Sequence, residues 1–279
     1  MDNDRFFSPD MMFWQVDREI VLLLAGGRAL LMQLAHPKIA AGVADHSHFK
    51  QDPLGRLYRT MSTMWSITFG DISEARLALN RVKNVHRQVH GEIKPAEPLP
   101  AGTPYDAFDE ELLLWVHATL IDSAMVGYDL FVRPLTELEK SRYYEDSKKL
   151  AELFEIRSAI VPSSLDEFND YVEGMLAGSA IAAGPTARSL ANEIVRPRPW
   201  ILRPGAPWFR LVTAGSLPEG LRTAYGMNWS EREERKFRLV TRAIRFFLPL
   251  VPKPLRIVPN ARRAERQLRD AGQSKFQAP

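Results

Sequence analysis

The chain of 279 residues contains no cysteine. That absence excludes disulfides, thiolate metal centres, iron–sulfur clusters and cysteine-ligated haem, so any metal would fall to histidine or carboxylate, and it fits a reducing compartment. Strand signals, meaning alternating β-branched residues between tight turns, are nearly absent as well. Charge of one sign is scarce: 37 Lys and Arg against 34 Asp and Glu leave a net charge of +3, too small an excess to point to nucleic acid. No apolar run reaches the ~20 residues of a membrane span. The longest, Ile20 to Ala35, is interrupted by Gly26-Gly27-Arg28 and Gln33, so no transmembrane segment is expected. The first residues, MDNDRFFSPD, are acidic and lack the basic and apolar regions of a signal peptide, and a cytoplasmic location is the expectation.

Several catalytic patterns are missing too. There is no Glu-x-x-His for a carboxylate-bridged di-iron bundle, no zinc-protease His-Glu-x-x-His and no hydrolase Gly-x-Ser-x-Gly. Gly26-Gly27 lies inside a helical pattern rather than between a strand and a helix, which removes both the dinucleotide fingerprint and the P-loop.

What is present is helix. With 45 % apolar residues the chain can bury a large core, and its periodicity predicts an all-α fold, a single multi-helix bundle of about ten helices; the inward histidine described below adds the expectation of a cofactor pocket in its core. Residues 17–195 form the expected central region and 196–279 a C-terminal helical extension. That extension ends in a basic tail containing Lys253, Arg256, Arg262, Arg263, Arg266 and Arg269, read as a solvated helix or a patch for an anionic membrane or partner. A first helix is expected from Asp17 to His36, stopped by Pro37. A second starts at Asp52-Pro53 and reaches Gly70, and a third runs from Asp71 or Ser73 to Gly91. The stretch from Glu92 to Pro104 holds four prolines and reads as an irregular connection before an apolar helix over Tyr105 to Phe131. Thr136 with Glu139, Ser164 with Glu167 and Ser230 with Glu233 each match a capping box.

All six histidines fall between His36 and His117. His86 shares a helical face with Val82, Val85 and Val89, so its imidazole should point inward, as a cofactor ligand or as a hydrogen-bonded core residue. His90 is one turn further on, the spacing at which two imidazoles can meet one metal, although a cap at the helix end explains it equally. His117 sits in LLLWVHATLIDS, where burial should keep it neutral, either lining a pocket or bonded within the core. His36 reads as a helix end, and His46 and His48 as loop residues near Asp45. Arg56 and Thr60 are one turn apart with Arg59 beside them, a cationic and hydroxylic edge suited to an anion, or simply a rim of snorkelling arginines. The apolar face continues through Met61, Met64 and Trp65.

The segments LLLAGGRALLMQLAHPKIAAGVADHSHF, DPLGRLYRT, RVKNVHRQVHG, LLLWVHATLIDS and FVRPLT together resemble one family. It is the all-helical catalytic domain shared by bacterial rubber oxygenase (latex clearing protein) and the fungal oxygenase of mycophenolic acid biosynthesis. The resemblance runs from Asp17 to beyond Ala151. It implies a b-type haem on a proximal histidine, mapped to His86, with Arg56 and Thr60 as the family's Arg-x-x-x-Thr pair and Arg59 as the intervening cation. Arg28 becomes a further propionate contact, His90 a neighbouring cofactor-site residue, and His117 a pocket residue beside walls of Met61, Met64, Trp65 and Trp115. The implied activity is a haem-dependent oxygenase using dioxygen on a small apolar or unsaturated substrate; the alternative is a haem- or lipophile-binding carrier or sensor without turnover. One departure stands out. The family's proposed base, a glutamate before Arg-x-x-x-Thr, would fall near Ala40, and no acid occurs there before Asp45.

Overall fold

The computed structural model describes residues 4–46, 53–195 and 205–275, with the side chains of 53–58 and 271–275 outside that description. The described residues form fourteen α-helices and one two-stranded sheet. The expected all-α class is what the chain adopts. The helix number exceeds the expected ten because tertiary contacts cut long periodic segments into shorter pieces.

The first such cut is at Glu19. Helix α1 (Met12–Asp17) ends just before it, and a 3-10 turn over Ile20–Ala25 and α2 (Gly26–Leu34) follow, where periodicity predicts one helix from Asp17 to His36. Glu19 is extended because it forms an isolated antiparallel bridge with Ile257. Its carboxylate, 2 % exposed, accepts two hydrogen bonds from Arg256 at 2.7 and 2.8 Å. A buried carboxylate needs such a partner, and meeting it overrides local helix propensity.

Helix α3 (Pro37–His46) precedes α4 (Pro53–Phe69) and α5 (Ile72–His86). The Asp52 cap and His48 lie outside the described residues. Asp71 caps α5 through a reciprocal box with Glu74, as expected. Helix α5 stops at His86 and not at Gly91, because strand β1 (His90–Glu92) pairs antiparallel with β2 (Pro104–Asp106), with Gly91 opposite Tyr105. A Cβ on Gly91 would stand 2.6 Å from the Tyr105 hydroxyl, so the hairpin requires glycine here. The same pairing delays α6 (Glu110–Phe131), which is capped by Asp109 rather than started at Tyr105.

Helices α7 (Glu137–Leu153), α8 (Leu165–Ala177), α9 (Pro185–Val195), α10 (Ala206–Ser216), α11 (Glu219–Ala224), α12 (Glu231–Phe247), α13 (Lys253–Arg256) and α14 (Pro259–Lys275) complete the chain. Thr136 and Glu139 form the expected capping box on α7. Ser164 caps α8 as expected, but Glu167 turns back to Ser163. Ser230 caps α12 through the Arg232 amide. One continuous apolar core includes residues from Phe7 to Ala264.

Helix α6 runs through that core, apolar on nearly every side, and α2 packs along it. Gly27 on α2 permits the approach of α10, since a Cβ there would meet Thr213 Oγ1 at 2.2 Å. Arg28, 5 % exposed, ties the three helices together. It ion-pairs with Asp122, donates to Ser123 Oγ at 2.8 Å and donates to the Ser216 carbonyl at 2.8 Å. Its guanidinium is therefore engaged inside the fold, with a carboxylate, a hydroxyl and a carbonyl as partners. Asp122→Ala should leave that cation buried without its counter-ion and lower the stability by about 3 kcal/mol, measured as a shift in the urea midpoint against wild type.

Candidate functional site

His36 lies where α2 turns into α3, His86 at the end of α5, and His117 in the first half of α6. His36 follows α2, and its Nδ1 is buried without a partner among the described residues. Burial, then the neighbouring Lys38, push its pKa down to about 4, with Asp109 opposing. Lys38 Nζ reaches the Asp109 carboxylate at 3.4 Å, which joins the start of α3 to the cap of α6.

His86 is the last residue of α5, half-buried, with its ring edge-on to Phe108 at 6.0 Å. Burial lowers its pKa and favours the neutral imidazole. The expected inward face is only partly formed: Val82 and Val89 are half-buried, while Val85 points outward. His90 lies on β1, exposed and beyond the end of α5. The one-turn His86–His90 pair on a single helix is therefore not formed, because strand pairing claims His90.

His117 is the most deeply placed of the six. It is 5 % exposed on α6, and both ring nitrogens are buried without a hydrogen-bond partner among the described residues. Desolvation alone lowers its pKa to about 4. A neutral imidazole carries one donor and one acceptor, and leaving both unmet in a protein interior is costly. Such a ring calls for a partner from outside the described residues, a water or a ligand.

Other expected residues are placed differently. Arg59 and Thr60 are exposed on α4, not buried, and the side chain of Arg56 lies outside the description. Met61, Met64 and Trp65 are half-buried on the same helix. Trp115 is fully buried and donates from Nε1 to the Met32 carbonyl at 3.2 Å. It is a core residue joining α6 to α2, where a pocket wall was expected. The cleft lies elsewhere: about 320 Å³ counting its open mouth, between α2, α3 and α9, lined by Leu30, Leu34, Ile39, Val43, Leu190 and Ile194 with Gln33 as the polar member.

Sequence reasoning missed a second cluster. His46 ends α3, and its Nε2 lies 3.0 Å from the His90 carbonyl and 3.3 Å from the Tyr105 hydroxyl. Tyr105 donates to Asp45 at 2.9 Å, and Lys94 ion-pairs with Asp45. Desolvation, then Asp45, raise the Tyr105 pKa to about 12. These contacts bind α3 to the hairpin. The hint was the Asp45-His46 pair, but nothing in sequence placed Tyr105 and His90 opposite it.

Among the described residues no group of three or more His, Asp or Glu side chains is arranged to hold a metal. The neutral imidazoles stand singly: His36 and His86 are half-buried at helix ends, and His117 lies in the core. An all-helical protein with a neutral imidazole in its core, unpaired among the described residues, is the class that fold and site define.

The chain belongs to the family described as ER-bound oxygenase mpaB/B'/Rubber oxygenase, catalytic domain, whose model matches residues 14–246. It is also similar to the uncharacterized proteins Mb2261 of Mycobacterium bovis and Rv2237 of Mycobacterium tuberculosis. Each is 28 % identical over 228 residues, covering 80 % of this chain and 87 % of the relative. No solved structure matches the chain. No single described helix is long and apolar enough to cross a membrane; Ile20–Leu34 and Pro37–His46 pass only as a pair bent by 107°.

The His117 pKa generates a stability prediction. The folded value, about 4, lies below the unfolded value of about 6.5. As pH falls through that window the unfolded state takes up the proton first, so stability is lost below pH 6.5 and levels off below pH 4, by on the order of 3 kcal/mol. Asp17, whose pKa burial raises to about 7, acts in the opposite sense over much of the same window. The contribution is therefore read as a difference: urea midpoints of wild type should fall more steeply from pH 7 to pH 4.5 than those of His117→Leu. Parallel curves would mean that the imidazole is already charged or already partnered in solution.

Proposed function

We propose that this chain is a haem-dependent oxygenase acting on a small apolar or unsaturated substrate, with His86 as the iron's protein ligand. Membership of an oxygenase catalytic-domain family supports the reaction class. The observation behind the cofactor reading is His117, both of whose nitrogens are unmet inside the core among the described residues, with His86 as a second imidazole that burial keeps neutral. The residues present fit a b-type haem: the donor set lacks thiolate, is histidine-based, and is desolvated enough to stay unprotonated, as ligation requires.

Bound haem would supply an iron at which dioxygen is activated. The chain's own residues do the rest. His86, kept neutral by burial and with its ring edge against Phe108, offers a ring nitrogen. His117 lines the interior and can donate or accept one hydrogen bond without carrying charge. Arg59 on α4 would neutralise a propionate, with the Thr60 hydroxyl one residue on; Arg56, whose side chain lies outside the description, would share that role by the family's Arg-x-x-x-Thr pattern. The cleft lined by Leu30, Ile39, Val43, Leu190 and Ile194 excludes water and receives an apolar substrate.

The test is spectroscopic. Protein from haem-replete cells should show a Soret band and about one haem per chain by pyridine haemochrome assay. His86→Ala should lose that haem with its far-UV circular dichroism unchanged, whereas His117→Leu should keep it. Loss in His117→Leu with retention in His86→Ala would move the ligand to α6, and a colourless wild type after reconstitution would remove the haem reading. Dioxygen uptake with alkenes then separates an oxygenase from a carrier.

A further inference from the structure

The end of α12 and the turn beyond it expose an unusual amount of large apolar surface. Phe246 is 72 % exposed, Phe247 58 %, Leu250 72 % and Leu255 68 %. They occupy ten consecutive residues spanning the last turn of α12, the 3-10 turn Leu248–Leu250 and α13. The segment is held in place. Leu248 is buried beneath it, the Phe246 and Phe247 rings meet edge to face at 5.1 Å, and Pro249, Pro252 and Pro254 restrict its backbone. Two further apolar groups extend the surface. Leu239, 69 % exposed, lies two turns before Phe246 on the outer face of α12. Gly215 approaches Phe237, and Val212 packs with Val240 and Ile244, so α10 runs antiparallel to α12 and carries the exposed Trp208 towards the Phe247 end.

The charge around this surface has one sign. From Arg235 to Ala264 the chain has nine Lys and Arg and no acid. Some of these cations are neutralised from within: Arg256 by Glu19, Arg263 by Glu74, Arg235 by Glu231 and Arg238 by Glu234, while Arg245 donates to the Asp129 and Leu130 carbonyls. Arg242 and Lys253, both exposed, have no acidic partner among the described residues. They flank the aromatic end, one on the outer face of α12 and one at the start of α13.

We propose that this end of the molecule is a docking surface for an anionic phospholipid bilayer. Phe246, Phe247, Leu250 and Leu255 enter the interface, and Arg242 and Lys253 meet lipid phosphates. Apolar groups at the acyl boundary with cations at headgroup level is the arrangement by which a peripheral protein holds a membrane. A second copy suits the surface poorly, because a two-fold contact would bring Arg242 and Lys253 of both chains together with no acid between them. The inference is independent of the haem reading, since none of its residues belongs to that site.

The experiment is co-sedimentation of the full chain with vesicles of phosphatidylcholine alone and of phosphatidylcholine mixed with phosphatidylglycerol, alongside sedimentation velocity without lipid. Wild type should partition at least roughly tenfold more strongly to the anionic vesicles. Phe246→Ser/Phe247→Ser should lower that partition by roughly tenfold or more, and Arg242→Glu/Lys253→Glu should erase the preference for phosphatidylglycerol, both with unchanged circular dichroism. No binding of wild type to either vesicle, or binding that survives both double variants, would overturn the proposal. A concentration-dependent dimer abolished by Phe246→Ser/Phe247→Ser would assign the surface to a second copy.

Discussion

The structure depends on the burial of α6. This 22-residue helix is apolar on nearly all sides, and a helix of that kind cannot lie on a surface, so neighbours must cover it on every face. Helix α2 and the 3-10 turn before it lie along one side, with α7 and α12 on others. Each polar group carried into that core then needs a partner. Asp122 and Ser123 find theirs in Arg28, and Trp115 in the Met32 carbonyl. His117 finds none among the described residues. The same helix thus holds the fold together and carries a ring whose two nitrogens are both left unsatisfied there.

That exception gives the site its character. His117 and His86 are both held neutral by loss of water, not by an opposing charge, and a neutral ring nitrogen is what a transition metal binds. The acids nearby are otherwise employed. Asp109 caps α6 and faces Lys38, Asp45 serves Tyr105 and Lys94, and Asp122 serves Arg28. An apolar cleft beside α2 and α3 and an apolar, cation-flanked end at α12 give the molecule two surfaces suited to lipophilic chemistry. They are formed by different helices and can be altered separately.

Much of the fold was legible in the chain. The absence of cysteine and of strand periodicity set the class, and the caps at Asp71, Thr136 and Ser164 lie where their side-chain chemistry places them, because a cap is satisfied by residues two or three positions away. The ordered segments around RVKNVH and LLLWVHATLIDS carried the family. The burial of His117 followed from its neighbours alone, since apolar residues surround it at helical spacing. The partner of Arg28 and the placement of His90 were not legible. Arg28 pairs with Asp122, 94 residues away. His90 looked like the next turn of α5 until Tyr105 and its strand claimed the backbone.

The sequence by itself determined helix content, the helix starts capped by Asp71, Thr136, Ser164 and Ser230, the inward placement of His117 and the cationic character of the C-terminal region. Each is a matter of side-chain type and spacing within a few residues. Only the tertiary structure decided where α5 stops, why the chain bends at Glu19, which cations are neutralised internally, and that Phe246, Phe247, Leu250 and Leu255 face outward. Those outcomes turn on partners far away in the chain, such as Ile257 for Glu19, Asp122 for Arg28 and Tyr105 for Gly91. A distant partner leaves no periodic trace in the local pattern, so its effect appears only once the chain has folded back on itself.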